Sequence, residues 1–265
     1  MFSYVDQGIR KWLRDSGRLV TLDAQGRPVP PGAPDGRVLS LLGPIPLAHR
    51  HRNREVTLRW YPFVRRIELD KVLDAATEVP RGGEERFREL LQQSMSVNSL
   101  LATEGFLEQP APLVRLHSCC MTGDVFGSMR CECGPQLEAA FELVVEQQGA
   151  VIYMSSHEGR GIGLWAKAIT YLLQDAGQDT YEANVSLGLP EDSRDFGDAA
   201  LVLRHLLGGR PIRLLSNNPM KREHLERAGQ SVAEMVPLVA GRSPHNERYL
   251  RAKRRKGHRL PDDLK

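Results

Sequence analysis

The rhythm of apolar and polar positions changes near residue 110. Upstream, residues 38–47 and 55–64 carry short β-like runs, and VTLRWY at 56–61 predicts a strand. Residues 84–93 are helix-like, and residues 24–37, with Gly26, Pro28, Pro30, Pro31, Gly32, Pro34 and Gly36, predict a loop. QPAP at 109–112 reads as a connector. Downstream, strands are predicted over 113–117, 150–154, 212–215 and 231–237. Between them fall helical patterns over 136–146, 164–173, 199–207 and 219–227, the last with Pro219 in its first turn. Strands alternating with helices predict an α/β domain with helices packed on a sheet. The expected division is an N-terminal α+β portion over 1–105, of unassigned role, and a catalytic portion over 106–265.

The chain has 265 residues, 41% of them hydrophobic, which is enough for a sizeable core. No apolar run approaches the roughly 20 residues of a membrane span. The N-terminus lacks the charged and apolar regions of a signal peptide. Few cysteines and no export signal lead to the expectation of a reducing cytoplasm, where clustered thiols favour metal binding or catalysis over disulfides. A net charge of +3 is too small to imply nucleic-acid binding. The basic tail over 251–259 reads first as a solvated helix end, and second as an RNA contact.

Cys120, Cys131 and Cys133 are the most informative residues. Three thiolates can hold zinc and leave its fourth position open for water, as in catalytic sites. Such a site activates water at neutral pH. Spacing alone leaves two readings open, because buried thiols also pack as small hydrophobes. Cys119 adjoins Cys120, and strand alternation turns it away from any metal unless the chain bends there. Three further motifs sit at strand-to-helix turns: HEGRGIGL at 157–164, DSRDF at 192–196 with Asp195 as a candidate N-cap, and SNNPMK at 216–221. Each alone is a common turn.

Together and in this order, these motifs resemble GTP cyclohydrolase II, which opens riboflavin synthesis. HSCCMTGD at 117–124, SMRCECGPQLEAA at 128–140, EGRGIGL at 158–164, LQDAGQDT at 173–180, EAN at 182–184 and SNNP at 216–219 carry the likeness over about residues 113–258. The resemblance implies an α/β fold with a mixed sheet flanked by helices, and a homodimer. It implies zinc on Cys120, Cys131 and Cys133, with magnesium accompanying the nucleotide phosphates. Water activated by zinc would attack C8 of guanine, and formate and pyrophosphate would be released. Arg194 matches the family's assigned nucleophile towards the α-phosphate, and Asp192 its proton acceptor. A purely electrostatic role for Arg194 is the rival, since a guanidinium stays protonated. Tyr171 matches a tyrosine assisting ring opening. Arg115 and His117 fall at nucleotide contacts, and Gln136 and Glu158 at the guanine edge. Arg160, Thr180, Ser216 and Lys221 fall around the triphosphate.

The chain departs from the family pattern at three places. Cys119 stands where glutamate is usual, Ser216 where threonine is usual, and Gly161 where asparagine is common. The N-terminal portion is longer than the short lead of the plain enzyme. It does not resemble the dihydroxybutanone phosphate synthase half of fused versions. Cys119 and that portion also suit a specialised relative acting on another nucleotide or a pyrimidine. A non-catalytic zinc module that binds RNA is the third reading.

Overall fold

The computed structural model describes residues 7–30, 36, 38–51, 54–68 and 96–260. The helix-like pattern at 84–93 and part of the loop expected over 24–37 lie outside these residues. The first half holds α1 (Gln7–Asp15), β1 (Leu19–Leu22), β2 (Leu39–Leu42), β3 (Ile45–His51), β4 (Arg54–Arg65) and β5 (Asn98–Ala102). Next come β6 (Leu113–Ser118), α2 (Met121–Asp124), α3 (Cys133–Glu146), β7 (Ala150–Met154) and α4 (Gly163–Asp175). The chain continues through α5 (Glu182–Ser186), α6 (Gly197–Leu207), β8 (Ile212–Leu215), α7 (Pro219–Arg227), β9 (Val232–Val236) and α8 (Glu247–Arg255).

All the described strands join one nine-stranded sheet in the order β1-β2-β4-β5-β7-β6-β8-β9, with β3 also paired to β4. The fold class is therefore α/β with a mixed sheet flanked by helices. The two halves of the sheet differ in kind. Strands β1 to β5 pair antiparallel, and β5 joins β7 antiparallel through Ser99↔Tyr153 to Ala102↔Ala150. From β7 the ladder turns parallel through β6, β8 and β9. Parallel strands need crossover connections and are covered on both faces. Accordingly β6 and β7 are buried along almost their whole length.

Strand alternation sorts the side chains onto two cores. Leu113 and Val151 pack with Ala140 and Val144 of α3 and with Leu215. Val114, Leu116, Ile152 and Leu214 face the other way, into the larger core with Ala199, Ala200, Val202 and Leu203 of α6. That larger core also takes in Leu22, Leu39, Tyr61, Phe63 and Leu100, so the N-terminal strands share it with the strands that follow residue 105. An ion-pair pair adds to this: Arg65 of β4 donates to Asp198 at 2.7 Å and to Asp195 at 2.8 Å. No helix among the described residues is long and apolar enough to cross a membrane.

Asp195 differs from its expected N-cap role. Phe196 occupies the cap of α6, and the Asp195 carboxylate accepts the N–H of Gly197 at 2.9 Å while pairing with Arg65. Asp195 thus keeps a capping hydrogen bond from one residue before the assigned cap.

Leu203 is fully buried where α6 meets both groups of strands. Leu203→Ala is expected to cost about 2–5 kcal/mol. Urea denaturation followed by tryptophan fluorescence and by zinc release should show both probes moving together to lower midpoint. Separate transitions would mean that the shared core does not couple the two parts.

Candidate active site

The site forms where the parallel strands end. In open sheets, ligands bind beyond the carboxyl ends of such strands. The turn after β6 carries Cys119 and Cys120, the turn after β7 carries residues 157–161, and the turn after β8 carries Ser216 to Asn218. Alternation along β6 also sends Arg115 and His117 to the α3 side, with Leu113. Arg115 is buried and donates to the Leu215 carbonyl at 3.1 Å and to Gln136 Oε1 of α3 at 2.9 Å. Burial lowers its pKa, against the opposing pull of Cys133 and Glu132.

The three predicted thiols meet, with their sulfurs within 4.8 Å of one another. Cys120 comes from the start of α2, and Cys131 and Cys133 from the start of α3. Two glycines permit the approach. A Cβ on Gly134 would lie 2.4 Å from the Gly123 carbonyl, and one on Gly123 would lie 2.9 Å from Cys131 Sγ. The residues fit a soft divalent ion. Cys120 and Cys131 approach to 3.5 Å, and hydrogen bonds from Cys131 and Cys133 lower the pKa of Cys120. The same contacts push Cys131 and Cys133 up, so all three ionise together only beside a cation.

A second layer holds this loop. Glu158, expected at the guanine edge, lies behind the cleft surface. Its carboxylate accepts the Met121 N–H at 2.6 Å, the Gly159 N–H at 2.9 Å and the Lys167 ammonium at 2.7 Å. Lys167 also reaches Cys120 Sγ at 3.1 Å. Burial opposes its charge, yet Cys120 and Glu158 raise its pKa. Cys119, which like Cys120 lies past the end of β6 and lines the cleft, is not part of the thiol cluster and donates to Glu158 at 3.6 Å. Burial pushes its thiol up to about 11. Tyr171 of α4 shares a 2.8 Å hydrogen bond with Thr122, whose hydroxyl also contacts Cys120 at 3.6 Å. Burial raises the Tyr171 pKa.

Around the thiols runs a cleft lined by seven Lys and Arg side chains, with no Asp or Glu on its surface among the described residues. Arg115, His117, Gln136, Arg160, Thr180, Arg194, Ser216, Lys221 and Tyr171 all line it, together with the three cysteines. Glu158 and Asp192 stand behind it, each paired with a cation that does line it. Asp192 holds Arg194 through Nε at 2.8 Å and through Nη2. Burial works against the Arg194 charge, but these bonds outweigh it and hold its pKa above the usual value. Arg160 adopts a left-handed φ of 62°, uncommon outside glycine. Its guanidinium donates to the Thr180 hydroxyl at 2.6 Å and lies 4.1 Å from the Tyr181 ring centre. Lys221 donates to the Leu116 carbonyl at 2.6 Å. Burial and neighbouring Arg115 and Arg194 hold its pKa well below the ordinary value. His157 donates from Nε2 to the Asp195 carbonyl at 2.9 Å, so Nδ1 accepts from Ser118 at 3.3 Å. Burial and Arg194 push its pKa down to about 4.

Several lining residues had been given no role by the motif reading: Lys167, Arg130, Tyr249, Lys253 and His258. Lys167 reads in sequence as a surface lysine on a helix. Lys253 lies in the tail read as solvated, yet its side chain is only 15% exposed and pairs with buried Glu132. The only sequence signal for either was proximity to a motif or to the helical tail.

The profile of the GTP cyclohydrolase II family matches residues 78–237, starting upstream of the stretch expected from motifs and stopping before the tail. The chain is 55% identical over 156 residues to the riboflavin biosynthesis protein RibBA of Nocardia farcinica, covering 57% of this chain and 37% of that protein. It is 58% identical over 150 residues to RibBA of Salinispora tropica, covering 56% and 37% of the two chains. For RibBA of Mycobacteroides abscessus the identity is 56% over 152 residues, covering 57% and 36%. The match thus spans little more than a third of each of these relatives. With its motifs gathered at the ends of the parallel strands and more than half its length matched by the profile, the chain belongs to the GTP cyclohydrolase II family.

Proposed function

We propose that this protein hydrolyses GTP, opening the guanine imidazole ring and releasing formate and pyrophosphate to leave a diaminopyrimidine ribosyl phosphate. One observation carries the reading: a thiol triad suited to zinc opens onto a cleft whose surface charges are all cationic. A triphosphate is the ligand such a cleft favours. Membership of the family and identity to riboflavin biosynthesis proteins support the same substrate.

Cys120, Cys131 and Cys133 would hold zinc, which supplies Lewis-acid polarisation and activated water. Lys167 offsets the thiolate charge of Cys120 and, through Glu158, keeps the α2 loop in register. Gln136 faces the purine, its orientation set by Arg115. Arg115 Nε and His117 Nδ1 are buried without protein partners, which supports hydrogen bonds to a nucleotide. Tyr171 sits one hydroxyl away from the thiols and is suited to proton transfer at the opening ring. Arg160, Thr180, Ser216 and Lys221 surround the phosphates, with magnesium on the phosphate oxygens. Arg194 acts as a cation against the α-phosphate, since Asp192 stabilises its charged form. Glu158 takes a positioning part. We assign the chain to the cytoplasm and to a homodimer. The latter suits the exposed apolar face of Trp165, Ile169 and Leu172 on α4, which a second copy would cover.

A second reading rests on Cys119. Its neutral thiol lines the cleft where the family's usual carboxylate is replaced, which suits a relative with an altered substrate.

Zinc-loaded protein incubated with GTP and magnesium is expected to yield formate, pyrophosphate and the diaminopyrimidine nucleotide by mass analysis. Intact GTP with folded, zinc-replete protein would favour the second reading, and other nucleotides and pyrimidines would be assayed next. Cys131→Ser is expected to lose zinc, measured by atomic absorption, together with all ring opening. Full activity in that variant would refute the metal assignment. Tyr171→Phe should slow ring opening about a hundredfold with zinc content intact. Normal turnover would remove Tyr171 from the reaction.

A further inference from the structure

The tail of the chain returns to the cleft. Lys253, His258 and Leu260 form part of its wall. The segment is tied down at several points. Lys253 pairs with Glu132, the residue between two of the cysteines, and Glu132 also accepts from Gln136 at 3.4 Å. Arg255 reaches Asp179 at 2.9 Å, and the Arg259 N–H donates to the Asn217 carbonyl at 2.8 Å, beside Ser216. These contacts join the tail to the thiol loop, to the Thr180 segment and to the turn after β8.

His258 stands within this wall, its backbone N–H donating to the Lys253 carbonyl at 3.1 Å. Its Nδ1 is buried and has no hydrogen-bond partner in the protein. A buried polar atom left unpaired is costly, so its retention calls for an explanation. The charged groups acting on the ring come from four elements: Lys253 of α8, Arg194 before α6, Lys221 of α7 and Arg160 after β7. Three of these, Arg194, Lys221 and Arg160, are the cations assigned above to the phosphates. Burial and this positive field push the imidazole down to about 3, so the ring is neutral near pH 7. A polyanion drawn in by the same cations would offset their repulsion and favour the imidazolium.

We propose that His258 is a further substrate-binding residue, donating a hydrogen bond to a phosphate oxygen of the nucleotide from a tail segment that forms a working wall of the site. The inference rests on reading the cleft as a polyphosphate site. Capture of the phosphate then comes with proton uptake by the histidine, a feature that a merely structural residue would lack.

The test is calorimetric titration of zinc-loaded parent and His258→Gln protein with inorganic pyrophosphate, in two buffers of different ionisation enthalpy. The parent is expected to take up more protons on binding than the variant. Pyrophosphate should bind the variant about tenfold more weakly, the loss of one charge-assisted hydrogen bond. The KM for GTP should rise by a similar factor, with kcat altered less than about twofold. Equal affinity and equal proton uptake in the two proteins would overturn the inference, as would a parent that turns GTP over yet binds no pyrophosphate. A parent inert towards GTP, but with His258-dependent pyrophosphate binding, would leave the inference standing and strike the GTP reading alone. If His258→Gln fails to fold, His258→Asn keeps a donor in a smaller side chain and is held to the same criteria.

Discussion

One buried carboxylate organises this site. Glu158 arrives on the turn after β7 and meets the Met121 N–H, its own following N–H, and the Lys167 ammonium. A charge at such depth is tolerated only when it is paired and hydrogen-bonded. Satisfying it therefore fixes three segments relative to one another: the loop of Cys120, the glycine-rich turn and the first turns of α4. Lys167, held by that carboxylate, reaches on to Cys120 Sγ at 3.1 Å. The thiol loop is thus positioned partly by a pair of residues that touch no substrate in the proposed reaction.

The change from antiparallel to parallel pairing at β7 explains where the site lies. Parallel strands β6, β7 and β8 deliver their following turns to one edge, and each turn brings a motif. The antiparallel half closes the other side of β7 and shares the larger core with α6. It also reaches towards the site itself. Arg65 of β4 grips Asp195 and Asp198, on either side of the start of α6, immediately after Arg194. Arg65 thus braces the segment that follows Arg194.

Charge inside the cleft is arranged in two ranks. Cations form the surface, and the carboxylates that steady them, Glu158, Asp192 and Glu132, stand behind. This separation leaves the surface field uniformly positive while each anion stays paired. Arg115, Arg160 and Lys221 are held by carbonyl, amide or hydroxyl oxygens instead. Lys221 donates to the Leu116 carbonyl, and burial among arginines holds its pKa down. A bound polyanion would supply an anionic partner, as it would for His258.

Much of this was legible in one dimension. The periods of two and of about 3.6 residues marked β6, β7, β8, β9 and the long helices α3, α4, α6 and α7, because those elements bury one face or two and their patterns are local. The cysteines and turn motifs, taken together through their resemblance to the family, named most of the residues that line the cleft. What the tertiary structure alone decided was which polar residues would be buried. Lys167, Lys253 and His258 have the sequence context of exposed side chains, and their burial arises from contacts 9 to 121 positions away, as with Glu158 and Glu132. The pairing of Asp195 with Arg65, 130 positions apart, likewise has no local signature. Local pattern records the face a segment must hide, whereas the partner of a buried charge depends on which distant segment the fold brings against it.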